Sequence, residues 1–485
     1  MTDSILTSSL LRQLALIDGE WTESNDGNII EVVNPATGAS IARVPKMGRD
    51  EAITAIKAAE RAFKPWATLV TKQRADILLK WHQLIVDNSE ELARILTTEQ
   101  GKPLTDARIE VAYASSFVRF YAEEARRTLG EIIPPHRADT RILVNKQPIG
   151  VVACITPWNF PSAMITRKVA PALAAGCTVV VKPSELTPLS ALALAALAVE
   201  AGVPRGAFNV VTGDAPSIGA AMCESNIVRK LSFTGSTPVG KMLAAACAPT
   251  VKKLGLELGG NAPFIVFDDA NLQLALDGAM LAKFRHSGQT CVTANRFLVQ
   301  RAVYDDFVAR FAERVAKLRV GPGLEPGVEI GPLINTKAVA KVRAHVEDAL
   351  ARGAKLMLGG GVHQLGERYF QPTVLRDVNT TMLVCHEETF GPLAAFVPFD
   401  TEEEAVRIAN DTPFGLAAYF YTRNMARAFR VADAIESGMV GVNSAFLSVE
   451  IAPFGGVKES GIGREGSHHG LDEFLELKYV SLGLG

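Results

Sequence analysis

The 485-residue sequence is poor in cysteine and aromatic residues and nearly without net charge, and each shortage excludes a class of protein. Its six cysteines show no CxxC spacing, so in this long chain we expect reduced thiols rather than a disulfide framework. Its eight histidines show no HExxH or other paired spacing, so no metal site is expected. A formal charge of −2 gives no reason to expect nucleic acid or an acidic membrane surface as a partner.

Long apolar runs and a targeting segment are also missing. The apolar run over 191–199 stops at Glu200, well short of the roughly 20 residues that span a membrane. The start of the chain, Met1-Thr2-Asp3-Ser4, has no basic segment followed by an apolar one. We therefore expect a cytoplasmic protein without a membrane partner. The chain is too long for one hydrophobic core, so two or three domains are expected.

Most of the sequence alternates between helix-like and strand-like patterns. Apolar residues at helical spacing predict three helices, at 51–63, 72–99 and 106–129. Short apolar strands then alternate with helices, and these strands are expected at 150–155, 177–182, 208–211 and 231–233. The alternation favours an α/β fold with a doubly wound parallel sheet, which binds ligands beyond the carboxyl ends of its strands.

A second α/β series begins near Glu257, with strands expected at 263–267 and 296–300. Residues 137–147 and 474–483 are strand-like but belong to neither series. Exposed strands must be paired or covered, so we expect these two segments to mediate oligomerisation.

Two residues carry most of the chemical information. Cys291 lies in a polar, glycine-flanked setting, Gly288-Gln289-Thr290-Cys291, and Glu257 lies between two leucines, where desolvation would raise its pKa. A thiol nucleophile and a carboxylate base are the groups needed to form and hydrolyse a thioester. On local context alone, Cys291 fits a packed core cysteine equally well. Glu257 on its own fits an ion-paired residue at a strand end better than a base.

Six motifs occur together along the chain, and in combination they are specific. In chain order they are Pro157-Trp158-Asn159-Phe160-Pro161, Lys182-Pro183-Ser184-Glu185, Phe233-Thr234-Gly235-Ser236, Leu256-Glu257-Leu258-Gly259-Gly260, Gly288-Gln289-Thr290-Cys291 and Glu387-Glu388-Thr389-Phe390-Gly391-Pro392. With these motifs the chain resembles the NAD(P)-dependent aldehyde dehydrogenase superfamily over essentially its full length.

The resemblance implies three catalytic residues. Cys291 matches the family's nucleophile, and Glu257 matches the general base that activates water for thioester hydrolysis. The side-chain amide of Asn159, together with the backbone N–H of Cys291, matches the oxyanion stabiliser. Considered alone, Asn159 would be interpreted as a residue that caps a helix.

Cofactor binding would escape a simple motif search. Gly235-Ser236-Thr237-Pro238-Val239-Gly240 departs from GxGxxG, although it follows a predicted strand and precedes a helix. By resemblance, Trp158, Lys182, Glu185, Ser236, Glu388 and Phe390 bind the cofactor. A carboxylate at Glu185 suits a free ribose 2′-OH and repels a 2′-phosphate, so NAD is expected and NADP is less favoured.

Three further residues address the substrate. Arg167, Arg285 and Ser448 match positions that hold the substrate carboxylate in the succinate-semialdehyde dehydrogenase branch, and Arg binds carboxylates bidentately. Glutarate-semialdehyde dehydrogenases share these features, and one methylene is worth only about 1–3 kcal/mol of discrimination. Phe446 is bulkier than is usual in this branch and is expected to narrow the pocket. Unaided, both arginines would be interpreted as surface residues.

The resemblance also divides the chain. It implies an NAD-binding domain at 1–128 and 149–256, a second α/β catalytic domain at 257–456, and a small β oligomerisation element at 129–148 and 457–485, with a homodimer or homotetramer as the assembly. The expected activity is NAD-dependent oxidation of succinate semialdehyde or a similar small carboxylate-bearing aldehyde. The alternatives are a broad-specificity aldehyde dehydrogenase, a non-redox thioesterase or acyl transferase, and a structural protein without activity.

Overall fold

Two large, mostly parallel sheets form the centre of the computed structural model, which describes residues 8–484. The first four residues, where no leader is predicted, lie outside the described range. Among the helices of residues 8–484, none combines the length and the apolar content needed to cross a membrane.

The described residues contain fifteen α-helices, numbered here in chain order. They are α1 (Arg49–Ala67), α2 (Thr71–Asp87), α3 (Ser89–Gln100), α4 (Leu104–Glu124), α5 (Ala163–Ala175), α6 (Leu189–Ala201), α7 (Ala215–Glu224), α8 (Thr237–Cys247), α9 (Leu272–Phe284), α10 (Arg301–Val315), α11 (Thr336–Ala351), α12 (Leu383–His386), α13 (Glu402–Asn410), α14 (Met425–Ala434) and α15 (Ser467–Asp472). Short 3₁₀ helices occupy Ala125–Arg127, Ala248–Thr250 and Arg285–Gly288.

The strands are likewise numbered in chain order. They are β1 (Ala15–Ile17), β2 (Glu20–Thr22), β3 (Ile29–Val33), β4 (Ser40–Pro45), β5 (Glu131–Ile133), β6 (Thr140–Pro148), β7 (Val151–Ile155), β8 (Thr178–Lys182), β9 (Phe208–Val210), β10 (Val228–Thr234), β11 (Lys253–Glu257), β12 (Ala262–Val266), β13 (Ala294–Gln300), β14 (Lys355–Leu358), β15 (Thr373–Arg376), β16 (Leu393–Phe399), β17 (Phe414–Gly415), β18 (Ala417–Tyr421), β19 (Met439–Val442), β20 (Val457–Lys458), β21 (Gly461–Ile462) and β22 (Leu475–Gly483).

The first sheet has the order β2-β1-β9-β8-β7-β10-β11-β21. Its five central strands are β9, β8, β7, β10 and β11, and all five are parallel. The direction in which successive strands are added reverses between β7 and β10. Alternate residues of β7 face opposite ways: Val152 and Cys154 pack in one hydrophobic cluster, and Val151 and Ala153 pack in another. Both faces are therefore covered, and the predicted doubly wound parallel sheet is confirmed.

The second sheet has the order β14-β15-β16-β13-β12-β18-β19 and is parallel except at the β14 edge. Strands β12 and β13 contain the two strands predicted from the second α/β series, and they pair in parallel. Two hydrophobic clusters cover this sheet as well, with Phe264 and Phe297 in one and Ile265 and Leu298 in the other. The predicted second α/β unit is therefore present.

A third, small sheet is antiparallel and has the order β22-β6-β5. Strand β22 pairs with β6 over its whole length, from Leu475 opposite Pro148 to Gly483 opposite Thr140. Of the predicted 457–485 segment, only β22 belongs to this sheet, because β20 pairs with β17 and β21 pairs with β11.

Candidate active site

The candidate site lies where the two large sheets face each other. The turn after β7 contributes Trp158 and Asn159, and the turn after β10 contributes Ser236, so both come from the point where the strand order reverses. Residues that precede β13 and β16, among them Cys291 and Glu388, close the other side. Together they line a cavity of about 370 Å³.

Cys291 is the one partly exposed cysteine among the six, all of which lie within residues 8–484; the other five are buried. It follows a loop with three consecutive left-handed residues, His286 (φ 57°), Ser287 (φ 56°) and Gly288 (φ 74°). A side chain at Gly288 would collide with the carbonyl of Gly391, so this position requires glycine. Backbone strain of this kind concentrates at functional loops.

Hydrogen bonds from outside the loop maintain its strained shape. The His286 N–H donates to Asp106 at 2.9 Å, and the Ser287 hydroxyl both donates to the Gly331 carbonyl at 3.1 Å and accepts from its N–H at 3.0 Å. The Asn159 side-chain amide donates to the carbonyl of Gln289 at 3.1 Å. Asn159 therefore lies next to the Cys291 loop and shares its cavity, as an oxyanion stabiliser must.

Burial raises the pKa of the Cys291 thiol to about 12, and the nearby carboxylates of Glu388 and Glu257 act in the same direction. The positive charge of Arg167 opposes this shift. At neutral pH the thiol is therefore protonated, and nucleophilic attack requires that a base accept its proton.

Glu257 ends β11 directly before this cavity but does not line it; its neighbours Leu258 and Gly259 do. The side chain is buried, and Oε2 has no hydrogen-bond partner among residues 8–484. Burial, followed by the negative charge of Glu465, raises the pKa of Glu257 well above its ordinary value. The carboxylate is thus poised to accept a proton, and side-chain rotation would be needed to bring it into the cavity.

The cofactor-facing part of the cavity fits a dinucleotide. Ser236 is the N-cap of α8, where first-turn N–H groups of a helix can receive a pyrophosphate. The Trp158 and Phe390 rings meet edge to face with centroids 5.5 Å apart, and Phe390 holds φ at 58°. Glu388 accepts from the Gly260 N–H at 3.3 Å, and burial raises its pKa to about 7.

Lys182 and Glu185 lie outside this cavity: Lys182 is the last residue of β8, and Glu185 follows it by three residues. The Lys182 ammonium is buried and lies 2.8 Å from the Glu185 carboxylate, whose side chain is 48% exposed. Because β8 is the neighbour of β7, the pair lies on the same sheet edge as Trp158 and Ser236. Within residues 8–484, no three His, Cys, Asp or Glu side chains are grouped as a metal ion requires.

A second, smaller cavity of about 50 Å³ lies on the other side of the Asn159 turn and is lined by Arg285, Ser448, Phe446 and Phe160. Arg285 lies over the Phe160 ring at 5.6 Å and has no carboxylate within ion-pair distance among residues 8–484. Asp106 lines the same cavity, and the charge of Arg285 opposes the rise of the Asp106 pKa, so Arg285 has an acidic neighbour beyond ion-pair distance. A guanidinium that makes no ion pair can still bind an anionic ligand bidentately.

The structure separates the two predicted substrate arginines. Arg167 lines neither cavity: it is 2% exposed, stacks on Phe454 at 4.1 Å and lies 2.8 Å from the Glu465 carboxylate. Burial alone would lower the pKa of Arg167, but the charge of Glu465 raises it above the ordinary value. Arg167 thus has an internal carboxylate partner, which it shares with Lys168, and its predicted contact with a substrate carboxylate stays a prediction.

Sequence reasoning missed three residues close to the site. Lys102, Glu110 and Tyr113 all line the smaller cavity. They lie on a loop and a helix, between 46 and 57 residues before Asn159 in sequence, and neither a motif nor a periodicity distinguishes them from solvated residues.

Comparison with known proteins agrees with this geometry. A model of the aldehyde dehydrogenase family matches residues 21–480. The chain is 56% identical over 477 residues to a succinate-semialdehyde dehydrogenase (NADP(+)) of Escherichia coli, with 98% of this chain and 99% of that protein covered. It is 57% identical over 475 residues to the 3-sulfolactaldehyde dehydrogenase of Pseudomonas putida, with 98% of each covered.

A third relative is the glutarate-semialdehyde dehydrogenase of Pseudomonas aeruginosa, 56% identical over 476 residues, with 98% of this chain and 99% of that protein covered. The resemblance inferred from the six motifs is thereby confirmed. The chain is an oxidoreductase that belongs to the aldehyde dehydrogenase family.

Proposed function

We propose that this protein oxidises succinate semialdehyde, or a closely similar aldehyde with a terminal carboxylate, to the corresponding acid with NAD. The observation that carries the proposal is the unpaired Arg285, which shares the smaller cavity with Ser448. Asn159 lines the cavity around Cys291 and the next residue, Phe160, lines the smaller one, so the two cavities are neighbours. The proposal is that one short substrate places its aldehyde group at Cys291 and its carboxylate at Arg285.

The chemistry begins at Cys291. Its thiolate adds to the carbonyl carbon, and the oxyanion that forms accepts hydrogen bonds from the Asn159 amide and the Cys291 N–H. Trp158, Glu388 and Phe390 would hold the nicotinamide ring, which would supply the hydride acceptor needed to turn the tetrahedral adduct into a thioester on Cys291. Glu257 then removes a proton from water, the water attacks the thioester, and the acid leaves with the thiol restored.

The raised pKa values suit these roles. A thiol with a pKa of about 12 must lose its proton before it attacks, and that proton passes to solvent water. Glu257 acts later, since a carboxylate with a raised pKa is a better base for the hydrolytic water than an ordinary one. Glu257 lies beside Gly455 and does not line the cavity of Cys291, so its side chain would turn toward that cavity to act on the thioester.

Members of this family use NAD or NADP, and we propose NAD for this chain on account of Glu185. Its carboxylate would accept hydrogen bonds from a ribose 2′-OH and would repel a 2′-phosphate. Because the named Escherichia coli relative is of the NADP(+) type, the assignment rests on this one position rather than on the overall identity.

Two other substrates have specific support. The relatives from Pseudomonas are named for glutarate semialdehyde and 3-sulfolactaldehyde, which, like succinate semialdehyde, carry a terminal anion. Glutarate semialdehyde is one methylene longer than succinate semialdehyde, a difference worth about 1–3 kcal/mol in a binding pocket. A non-redox thioesterase would not need the dinucleotide-sized groove between Ser236 and Phe390.

The deciding experiment is an absorbance assay of NADH formation with matched aldehydes. Succinate semialdehyde, glutarate semialdehyde, 3-sulfolactaldehyde and uncharged butanal are compared by kcat/KM, each with NAD and with NADP. We expect the highest value for succinate semialdehyde with NAD. Equal values for butanal would refute the carboxylate preference, and equal values for the two cofactors would refute the NAD assignment.

We also propose assembly into a homodimer or homotetramer through the small sheet. Large apolar side chains on it are exposed in the single chain, with Ile132 at 78%, Leu477 at 70% and Tyr479 at 61%. Apolar surface of this extent is normally covered by a partner. Light scattering that gives the mass of one chain would contradict the assembly.

A further inference from the structure

We propose that Tyr113 is a specificity-determining residue, whose hydroxyl donates the fourth hydrogen bond to the terminal carboxylate of the substrate beside Arg285 and Ser448. This inference rests on the proposed function and specifies how the carboxylate would be recognised.

Tyr113 lies on α4, one turn beyond Glu110, and lines the smaller cavity together with Arg285 and Ser448. Its ring meets Phe117 edge to face with centroids 4.9 Å apart, which fixes its orientation. The hydroxyl oxygen is buried and makes no hydrogen bond of good geometry within residues 8–484, although the Ser448 side chain lies close enough to lower its pKa. An unpartnered buried hydroxyl costs free energy, so its presence at a cavity wall indicates a ligand that satisfies it.

The charges around the cavity favour an anion as that ligand. Lys102 and Glu110 form a buried ion pair and cancel each other. Asp106 accepts the His286 N–H, and burial raises the pKa of its carboxyl group. Burial, with the nearby charges of Lys102 and Arg285, lowers the pKa of His286 well below its ordinary value and keeps the ring neutral. Asp106 remains an acidic neighbour, and Arg285 is the cation of this cavity that makes no ion pair among residues 8–484, so Arg285 is the group that an anion would bind.

Tyr113 is a donor in this setting. Burial raises the pKa of its hydroxyl, against the opposing charges of Arg167 and Arg285, so the proton stays on the oxygen at neutral pH. A hydroxyl that keeps its proton next to a guanidinium can donate to the same anion that the guanidinium binds.

The number of donors matches a carboxylate. A carboxylate offers about four lone-pair positions on its two oxygens. A bidentate Arg285 occupies two, Ser448 occupies one and Tyr113 occupies the fourth. A sulfonate has three oxygens and about six such positions, so the same donors would leave part of it unsatisfied. The site therefore favours a carboxylate over a sulfonate on an otherwise identical aldehyde.

The test is Tyr113→Phe, which removes one hydroxyl and keeps the ring. Steady-state kinetics with NAD are measured for succinate semialdehyde, for its sulfonate counterpart 3-sulfopropanal and for butanal. Because a hydrogen bond to a charged group is worth about 1.5–3 kcal/mol, KM for succinate semialdehyde should rise about tenfold to hundredfold. The kcat for that substrate, and both constants for butanal, should change little, since the lost contact is made equally in the ground state and the transition state.

The matched control is Tyr121→Phe, which removes a second unpartnered buried hydroxyl two turns further along α4 and outside the cavity lining. Tyr121→Phe should leave the ratio of KM for butanal to KM for succinate semialdehyde unchanged. An equal loss for butanal and succinate semialdehyde in Tyr113→Phe would show that Tyr113 only shapes the cavity and would overturn the inference. No change for either aldehyde, or faster turnover of 3-sulfopropanal than of succinate semialdehyde by the unmodified protein, would also overturn it.

The unmodified protein tests the proposed function separately. If it does not prefer succinate semialdehyde over butanal, the proposed function fails and the carboxylate site fails with it. If it keeps that preference and Tyr113→Phe does not weaken it, the proposed function stands and only the role of Tyr113 is lost.

Discussion

The ammonium of Lys102 donates a hydrogen bond of 2.8 Å to the backbone carbonyl of Asn159. The same ammonium is ion-paired with Glu110, and both side chains are fully buried. The other Glu110 oxygen accepts the N–H groups of Ser162 and Ala163, at 2.9 and 3.2 Å, where α5 begins. The buried pair therefore fixes the turn that carries Asn159, from its carbonyl to the helix that follows.

The pair gives a prediction about stability. Lys102→Met leaves the Glu110 carboxylate buried without a counter-charge, which should lower the free energy of unfolding by about 3–5 kcal/mol. The double variant Lys102→Met/Glu110→Gln removes both charges, keeps the cap on α5 and should regain most of that loss. Urea denaturation of both variants measures this difference. Equal destabilisation in the two variants would show that the charge on Glu110 is not what matters.

A second prediction separates the two half-reactions. Glu257→Gln removes the base without changing the shape of the side chain, so thioester formation should continue while hydrolysis slows by about a hundredfold to ten-thousandfold. Rapid mixing with NAD and aldehyde should then show one equivalent of NADH per active site, followed by very slow turnover. A variant that produces no initial burst would contradict the assignment of Glu257 to hydrolysis.

A third prediction concerns pH. Burial, with Glu388 and Glu257, raises the pKa of the Cys291 thiol to about 12, so the thiolate fraction grows about tenfold with each pH unit below that value. Alkylation of the free protein by iodoacetamide should accordingly accelerate about tenfold per unit between pH 7 and 10. Cys291→Ala provides the background rate of the five buried thiols. A rate that levels off below pH 8 would show that the thiol is already activated without cofactor.

The charge of Glu388 allows a further test of why the pKa of Cys291 is raised. Glu388→Gln removes a carboxylate that raises the Cys291 pKa, so alkylation at a fixed pH should become faster. A slower rate in this variant would mean that Glu388 acts on the thiol in some way other than through its charge.

The sequence predicted those parts of the fold that consist of uninterrupted apolar runs. Strands β7 and β8 are buried on both faces and are apolar along nearly their whole length, so their pattern is unmistakable. Strands β1 to β4 escaped prediction for two reasons: β1 and β2 are only three residues long, and β3 and β4 are interrupted by the charged residues Glu31 and Arg43. The predicted helix over 72–99 is two helices, since the chain leaves helical geometry at Asn88 (φ −105°, ψ 16°) without a glycine or proline to mark the break.

The candidate site was likewise predicted only in part. Motifs predicted that Asn159, Ser236, Cys291, Glu388 and Phe390 belong to one site, and they do line one cavity. No motif could show that Arg167 has an internal carboxylate partner, because that partner is Glu465, which only the fold brings next to Arg167.

A fourth prediction addresses the cofactor. Glu185→Ser removes the carboxylate that would repel a 2′-phosphate and frees the Lys182 ammonium, now 2.8 Å from it, to bind that phosphate. The ratio of kcat/KM for NADP to that for NAD should rise at least about tenfold, since like charges in contact cost several kcal/mol. Glu185→Asp, which keeps the charge, should retain the original ratio. If both variants behave alike, Glu185 does not select the cofactor.

The last prediction compares variants of Arg285 and Arg167. Arg285→Met removes an unpaired cation from the smaller cavity, so KM for succinate semialdehyde should rise about a hundredfold or more while butanal is oxidised as before. Arg285→Lys restores the charge but cannot form two parallel hydrogen bonds, and should recover only part of the loss.

Arg167→Met should behave differently, because Arg167 lines neither cavity and packs between Phe454 and Glu465, a carboxylate that keeps Lys168 as a counter-charge. It should reduce stability and slow the oxidation of charged and uncharged aldehydes alike, with no selective rise in KM for the carboxylate. Steady-state kinetics of both variants on succinate semialdehyde and butanal make the comparison. A selective loss of succinate semialdehyde in Arg167→Met would mean that substrate binding draws Arg167 away from Glu465, and both arginines would then contact the carboxylate as the sequence alone suggested.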